Sequence, residues 1–477
     1  RGSEGFTLTG SREEVLAFKS VIDWLNGRCR AFTDKTQNIE IKASWCSGNV
    51  AMTAKSYLGT MCIGVATTGV EGLKTIIPEA AISNWYAYYR VGGLNLPAMG
   101  WQGDDLDILA KYCFSRAKDA EDYAKVKEAY DAALAALVRG EDRASGNYNR
   151  FWDERNYLNL ADKIKASVFI VHGINDWNVK TNQCVPFFRE LEKRGIPAKM
   201  MLHQGQHIYI HKLRDSHMLE ILERWLEHYL KGVDNGIENE PAVLVESCVD
   251  QSVWMCSDTW PPAGCREENF PITASGKKLI VDDLAKTVYD KEKDNLKEWL
   301  DELVLRDDAE QLHRLKFVWD PFAETAQETA QTGAENLRIS GTVKISFDAA
   351  IDRETAILSA MLVDLGDACR ITEEEIQHPD GTYTFGLEKE PSAYKVISRG
   401  WLNAQNRSCL WSKEKIVPGE FCHYEIDMVP TDHVLASGHK LALILYGIDA
   451  EETQRPDTVT NITVDTASIR AAVPMLR

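Results

Sequence analysis

The sequence is short of almost everything that would tie it to a membrane, a nucleic acid or a metal. Across 477 residues no apolar run is long enough to span a bilayer. Positive charge is in deficit, with 54 Lys and Arg against 72 Asp and Glu and a formal net charge of −18. That balance argues against a nucleic-acid partner and against docking on an anionic membrane. The eleven cysteines are scattered singly, at positions such as Cys29, Cys46, Cys62, Cys113 and Cys184, with no CxxC pair. Their spacing offers neither a disulfide framework nor a metal site, and a reducing cytoplasm is the expected setting. No Gly-rich phosphate loop follows any expected strand, so a nucleotide-binding sheet is set aside and no cofactor is implied. An initiator Met and a signal peptide are also missing from the opening "RGSEGFTLTG".

What is there is the composition of a globular protein, 44% hydrophobic and 26% charged, in a chain long enough for two or three domains. "REEVLAFKSVIDWLNG" places Val15, Leu16, Phe18, Val21, Ile22 and Leu25 at helical spacing, with Gly27 as a stop. "GNVAMTA" reads as a turn into a strand, "LKTIIPEAAIS" as a second, "ASVFIVHG" as a third and "AKMMLHQG" as a fourth. Helical stretches separate them, which is the pattern of a parallel sheet covered on both faces. From about residue 84 to 157 the chain reads as a helical insertion rich in Trp and Tyr. Beyond Gly236 short strands and turns replace helices, among them "PAVLVESC", "SVWMCSD", "LRISGTVKISFDA" and "KLALILYG". We therefore expect an α/β unit over 1–235 and an antiparallel β-sandwich over 236–477. A charged helical insert is expected at about 285–315.

One serine stands where a nucleophile elbow would be. In "VAMTAKSYLGT" a strand leads through a turn into a helix of small residues, and Ser56 sits on the turn. Ala54 takes the small position two before it, Leu58 the second glycine position of G-x-S-x-G, and Gly59 comes one residue late. Such a serine also serves as a plain helix cap. The partners decide between the two readings. "VFIVHGINDWNV" puts Asp176 just past the third strand, and "KMMLHQGQHIYIH" puts His207 just past the fourth. Acid then base, each after the C-terminal end of a later strand, is the order this sheet type requires. His207 would be the general base and Asp176 would hold its tautomer. His172 and His203 are expected within strands or at their ends, and His211 is the nearest rival to His207.

Together "AKSYLGT", "HGINDWNV", "GQHIYIH", "ISNWYAYYR" and "SGNYNRFWDERNYL" resemble the X-prolyl dipeptidyl aminopeptidases of lactic acid bacteria. That family's elbow reads G-x-S-Y-x-G, which accounts for Gly59 and leaves Ala54 as the departure. The resemblance implies an α/β-hydrolase sheet with a helical lid, followed by a jelly-roll-like sandwich. It implies release of N-terminal X-Pro or X-Ala dipeptides from proline-containing peptides through an acyl-enzyme on Ser56. Trp85, Tyr88 and Val179 would then form the apolar proline pocket, and Asn178 a polar contact to the substrate backbone. From the residues alone, Trp85, Tyr86, Tyr88 and Tyr89 read better as lid-core aromatics. The Tyr57 backbone N–H would be one oxyanion donor. The second donor and the anchor for the substrate amine are expected upstream, which makes this chain the C-terminal part of a longer, homodimeric protein. Two other readings remain at this stage. One is an α-amino-acid ester hydrolase or cocaine-esterase-like acylase; the other is a non-catalytic binding protein with a decayed elbow.

Overall fold

The computed structural model describes residues 5–98, 101–213, 216–284, 296–306, 312–323, 336–456 and 458–477. Helix α1 (Arg12–Leu25) starts where the Ser11 hydroxyl accepts the Glu14 N–H at 3.2 Å, an N-cap that satisfies one of the unpaired donors of a first turn. It packs on α2 (Ser56–Ala66), whose buried small and apolar residues let it lie close to the sheet below.

That sheet has six strands. Spatially it runs β1 (Val50–Lys55), β2 (Leu73–Glu79), β3 (Ser167–Gly173), β4 (Ala198–His203), β5 (Val243–Glu246) and β6 (Trp254–Ser257). The first five are parallel and β6 returns antiparallel on β5. Every residue of β3 is buried, as its unbroken apolar run required of a strand covered on both faces. Helix α5 (Cys184–Lys193) covers one side, with Phe187, Phe188 and Leu191 inside, and α6 (Ser216–Leu226) the other, with Trp225 inside.

Here the strand assignment needs a correction. "PAVLVESC" and "SVWMCSD", expected in the sandwich, supply β5 and β6 of the parallel sheet instead. Met200 pairs with Val243 and Leu202 with Val245. Val243 and Val245 join the core on one face while Leu244 joins that on the other. A short apolar strand carries no label for the sheet it joins; only the neighbouring strand's exposed edge decides that.

Between β2 and β3 lie α3 (Leu106–Phe114), α4 (Ala120–Glu141) and two single turns of helix, Tyr86–Tyr89 and Arg150–Asp153. Their aromatics interlock edge-to-face, Tyr86 meeting both Tyr148 and Trp152. Beyond β6 most of the described strands form a seven-stranded and a four-stranded sheet, with Ile371–Gln377 and Tyr383–Leu387 paired apart from them. Thr460–Leu476 pairs with Lys277–Asp282, Arg266–Asn269, Leu337–Gly341 and Lys344–Ile351 in turn. The two sheets enclose one core, including Phe317, Ile339, Phe347, Leu358, Leu443 and Ile462. Of the charged insert, Leu296–Leu305 is helix α7; residues 285–295 and 307–311 lie outside the described residues. No helix among the described residues is long and apolar enough to cross a membrane.

Candidate active site

Ser56 is the first residue of α2 and has φ +61°. A non-glycine residue in the left-handed region costs of order 1 kcal/mol and persists only where the surroundings enforce it. Gly59 shows how they do so. A Cβ at Gly59 would lie 2.6 Å from the Ala54 carbonyl oxygen and 3.1 Å from the Glu79 carbonyl oxygen. The glycine three residues after the serine is thus what lets α2 turn back against the ends of β1 and β2. Ala54 sits at the end of β1, opposite Pro78 of β2.

Asp176 lies three residues past β3 and is 3% exposed. One of its oxygens accepts the backbone N–H groups of Asn178 at 3.0 Å and Val179 at 2.8 Å. The other is 2.6 Å from His207 Nδ1. With Nδ1–H donating to the carboxylate, Nε2 is left as the free basic nitrogen. The acid and base loops can touch because both strand ends are glycine-lined: a Cβ on Gly173 would collide with the Gly205 and Gln206 carbonyl oxygens.

The three residues lie at one sheet edge, since β1, β3 and β4 run parallel and each is followed by its residue past its C-terminal end. Lys55, next to the serine, fixes the base loop: Nζ donates to the His207 carbonyl at 2.9 Å and lies 4.9 Å from the Tyr209 ring centre. The described hydrogen bonds of the His207 ring run to Asp176 and not to Ser56 Oγ. Catalytic contacts of this kind are commonly long until substrate closes them. The rival histidines separate cleanly. Both His172 and His203 are buried core residues, and burial pushes their pKa values down, that of His203 to about 3. His172 Nε2 is held by the Val179 carbonyl, and His203 Nδ1 accepts the Gly205 N–H. His211 is exposed on a short 3-10 turn.

The expected pocket residues cluster beside Asp176. Tyr88 O–H donates to Asn178 Oδ1 at 2.8 Å, and Tyr88 meets the Trp85 ring edge-on at 6.2 Å. Trp85 and Val179 are fully buried, while Tyr88 and Asn178 are half-buried. Trp85 is lid core, packed between Tyr57 and Tyr88. Tyr57 turns its side chain away from the serine: its hydroxyl donates to the Glu14 carboxylate at 2.6 and 2.7 Å. Its backbone N–H remains at the start of α2, where orphan donors face outward.

Three contributors escaped sequence reasoning. Glu79, at the end of β2, is 3% exposed and accepts the Ile210 N–H at 2.7 Å. Burial raises its pKa against the opposing pull of that bond and of Lys55. It ties the base loop to the strand beside the elbow. A carboxylate ending the apolar run "TIIPE" was a legible signal. Asp104 of the lid lies near Tyr88, and its charge adds to burial in raising the Tyr88 phenol. The third is the sandwich. Lys180 of the acid loop pairs with Glu452 at 2.9 Å, both buried. The Thr181 hydroxyl donates to the Pro430 carbonyl, and Arg399 stacks over Trp177 at 5.5 Å. The loop that carries Asp176 is braced by the other domain.

A parallel sheet with an elbow serine, an acid and a histidine at its C-terminal edge defines the α/β-hydrolase class, here followed by an all-β domain. Two family models match the chain: X-Pro dipeptidyl-peptidase (S15 family) over residues 1–209, and the X-Pro dipeptidyl-peptidase C-terminal non-catalytic domain over residues 235–475. The chain belongs to the X-Pro dipeptidyl-peptidase family. It is 38% identical to the Xaa-Pro dipeptidyl-peptidase of Lactiplantibacillus plantarum, covering 99% of this chain and 60% of the relative. Against a putative Xaa-Pro dipeptidyl-peptidase of Bacillus cereus it is 36% identical, covering 98% of this chain and 72% of the relative. The chain thus spans about 60% of the length of the lactic acid bacterial relatives it matches. Among solved structures, a CocE/NonD family hydrolase from Staphylococcus aureus superposes with TM-score 0.65 at 13% identity, covering 100% of this chain and 78% of that one. An α-amino acid ester hydrolase does so with TM-score 0.62 at 15% identity, covering 95% and 79%. At such identities these two speak for the fold alone.

Proposed function

We propose that this chain carries the catalytic machinery of a serine dipeptidyl-peptidase that releases N-terminal X-Pro, or X-Ala, dipeptides. The observation that carries the reading is a left-handed Ser56 at the same C-terminal edge of the sheet as the 2.6 Å Asp176–His207 pair, with Tyr88 and Asn178 next to Asp176. In the proposed reaction His207 Nε2 takes the Ser56 hydroxyl proton as Oγ attacks the carbonyl carbon after proline. Asp176 keeps Nδ1 protonated and stabilises the imidazolium. The Tyr57 N–H donates to the developing oxyanion, one such donor being worth about 3 kcal/mol of barrier. The imidazolium then protonates the leaving amine, and water cleaves the acyl-enzyme by the same steps.

Specificity follows from the pocket. Tyr88, with Trp85 and Val179 behind it, offers a flat apolar wall that suits the rigid pyrrolidine ring better than a polar side chain. Asn178 and the negative field of Asp104 and Asp176 suit the polar backbone and the ammonium of a dipeptidyl substrate. All eleven cysteines are free, which suits a reducing cytoplasm, and we extend the family resemblance to a homodimer in the natural protein. We retain the division into a catalytic unit over 1–235, with its lid at about 84–157, and a sandwich unit from 236. The exception is that 243–257 completes the catalytic sheet.

The test is p-nitroaniline release from Ala-Pro-p-nitroanilide by the natural full-length protein, with Ser56→Ala as control. Release abolished by the substitution supports the peptidase. Turnover of simple esters without the dipeptide anilide would replace it with an ester hydrolase. Failure of a fluorophosphonate to label Ser56 would sink the triad.

A further inference from the structure

A second relay of nucleophile, imidazole and carboxylate lies away from the serine, at the joint between the catalytic sheet and the sandwich. Cys248 follows β5 and is half-buried. Its Sγ is 3.5 Å from His433 Nδ1, and His433 Nε2 is 2.9 Å from Asp364 Oδ2. His433 and Asp364 are 6% and 3% exposed and come from strands of the two different sandwich sheets, Thr431–Leu435 and Ile357–Ala368. The backbone N–H of Val434 also donates to Sγ at 3.2 Å, while a protonated thiol would have the Val434 carbonyl at 3.5 Å. Asp364 is held in turn by His439 at 2.7 Å and faces Arg370 at 3.7 Å.

We propose that Cys248 is a reactive thiolate and a site of covalent modification by small soft electrophiles, low-molecular-weight disulfides first among them. The Asp364 bond keeps the proton on His433 Nε2, so Nδ1 is the position that accepts the thiol proton. His433, in contact with Sγ, then favours the anion, and the charge of Lys395 adds to it. Burial alone would raise the thiol pKa; His433 and Lys395 outweigh it and bring it below its ordinary value. A thiolate so placed is the reactive form of cysteine. In the reaction Sγ attacks one sulfur of the disulfide, the new S–S bond forms as the old one breaks, and the electron pair departs on the second sulfur as a thiolate. No proton need leave Cys248 in that step. Nothing in the peptidase reading uses these residues.

The probe is iodoacetamide on the folded chain, with labelling of each cysteine followed by peptide mass spectrometry and exposed Cys256 as the internal comparison. A thiol of ordinary pKa near 8.5 gains roughly 50- to 100-fold in rate between pH 6 and 8. We expect the rate at Cys248 to rise by a clearly smaller factor than that over this range, and His433→Gln to restore the steep rise. Should His433→Gln not fold, the ultraviolet thiolate absorbance lost at pH 6.5 in Cys248→Ser decides the same point. A steep rise at Cys248 in the unaltered chain, no labelling of Cys248 while folded, or no thiolate absorbance to lose would each overturn the proposal.

Discussion

Two buried aspartates, one in each domain, are held in different ways. Asp449, in the sandwich, is enclosed by Arg399 at 3.0 Å, the Trp401 indole N–H at 3.1 Å and the Tyr446 hydroxyl at 2.6 Å, with two backbone N–H groups besides. Burial alone would raise its pKa, but the permanent charge of Arg399 wins and holds it low. Asp176, in the catalytic sheet, has two backbone N–H groups and one titratable partner, His207. The first arrangement is closed: no proton moves in it. The second leaves one partner able to gain and lose a proton, which is what a general base needs. The two are physically joined, because Asp449 anchors the Arg399 whose guanidinium lies on Trp177, next to Asp176. Glu14 completes the series. Here burial outweighs the Tyr57 hydroxyl, the Gly10 N–H and the charge of Arg155, and the Glu14 pKa rises to about 7.

Substitutions separate these cases. The largest effect is expected from Ser56→Ala in the active protein, a loss of about 10⁴-fold or more in kcat. Its urea midpoint should hardly move, since the backbone strain remains. A large fall in stability instead would mean that Ser56 is a structural cap. Arg399→Met should do the opposite first. Leaving Asp449 buried and unpaired costs about 3–5 kcal/mol, read as a lower urea midpoint. A chain as stable as before would break the distinction between a closed and an open carboxylate.

Glu14 makes the comparison a matter of pH. Folded, it keeps its proton to about pH 7, against a reference value of 4.5. The folded chain therefore binds the extra proton across that window. Stability from this group is full below pH 4.5 and is lost as pH climbs through 7. The whole span is roughly 3 kcal/mol. Glu14→Gln should flatten the fall in unfolding free energy between pH 5 and 8 by about that amount, and an unchanged slope would show that the carboxyl is solvated. Smallest, Gly59→Ala forces a methyl toward the Ala54 carbonyl and should cost about 1–3 kcal/mol, with kcat falling because the same turn carries Ser56. Full activity in that variant would remove the reason offered for the displaced glycine.

How much of this was legible beforehand depends on how local each signal is. Strand β3 and helix α1 announced themselves, because an unbroken apolar run and a 3.6-residue period survive in any context. The order Ser56, Asp176, His207 was legible for a similar reason: each follows a recognisable strand, and parallel strands deliver their following loops to one edge. Glu79 was missed although its position at the end of an apolar strand marked it. The braces from Lys180 to Glu452 and from Thr181 to Pro430 had no sequence signal at all, as their partners lie some 250 residues apart.

By itself, then, the sequence determined the periodic elements, the parallel order of the first four strands and the three residues at their ends, since those depend on neighbours a few positions away. Tertiary structure decided which sheet Val243–Glu246 and Trp254–Ser257 would join, which of four histidines faces a carboxylate, and that Cys248 meets His433. Each of those rests on contacts across distant chain, where burial and the geometry of approach, rather than local pattern, set the energy.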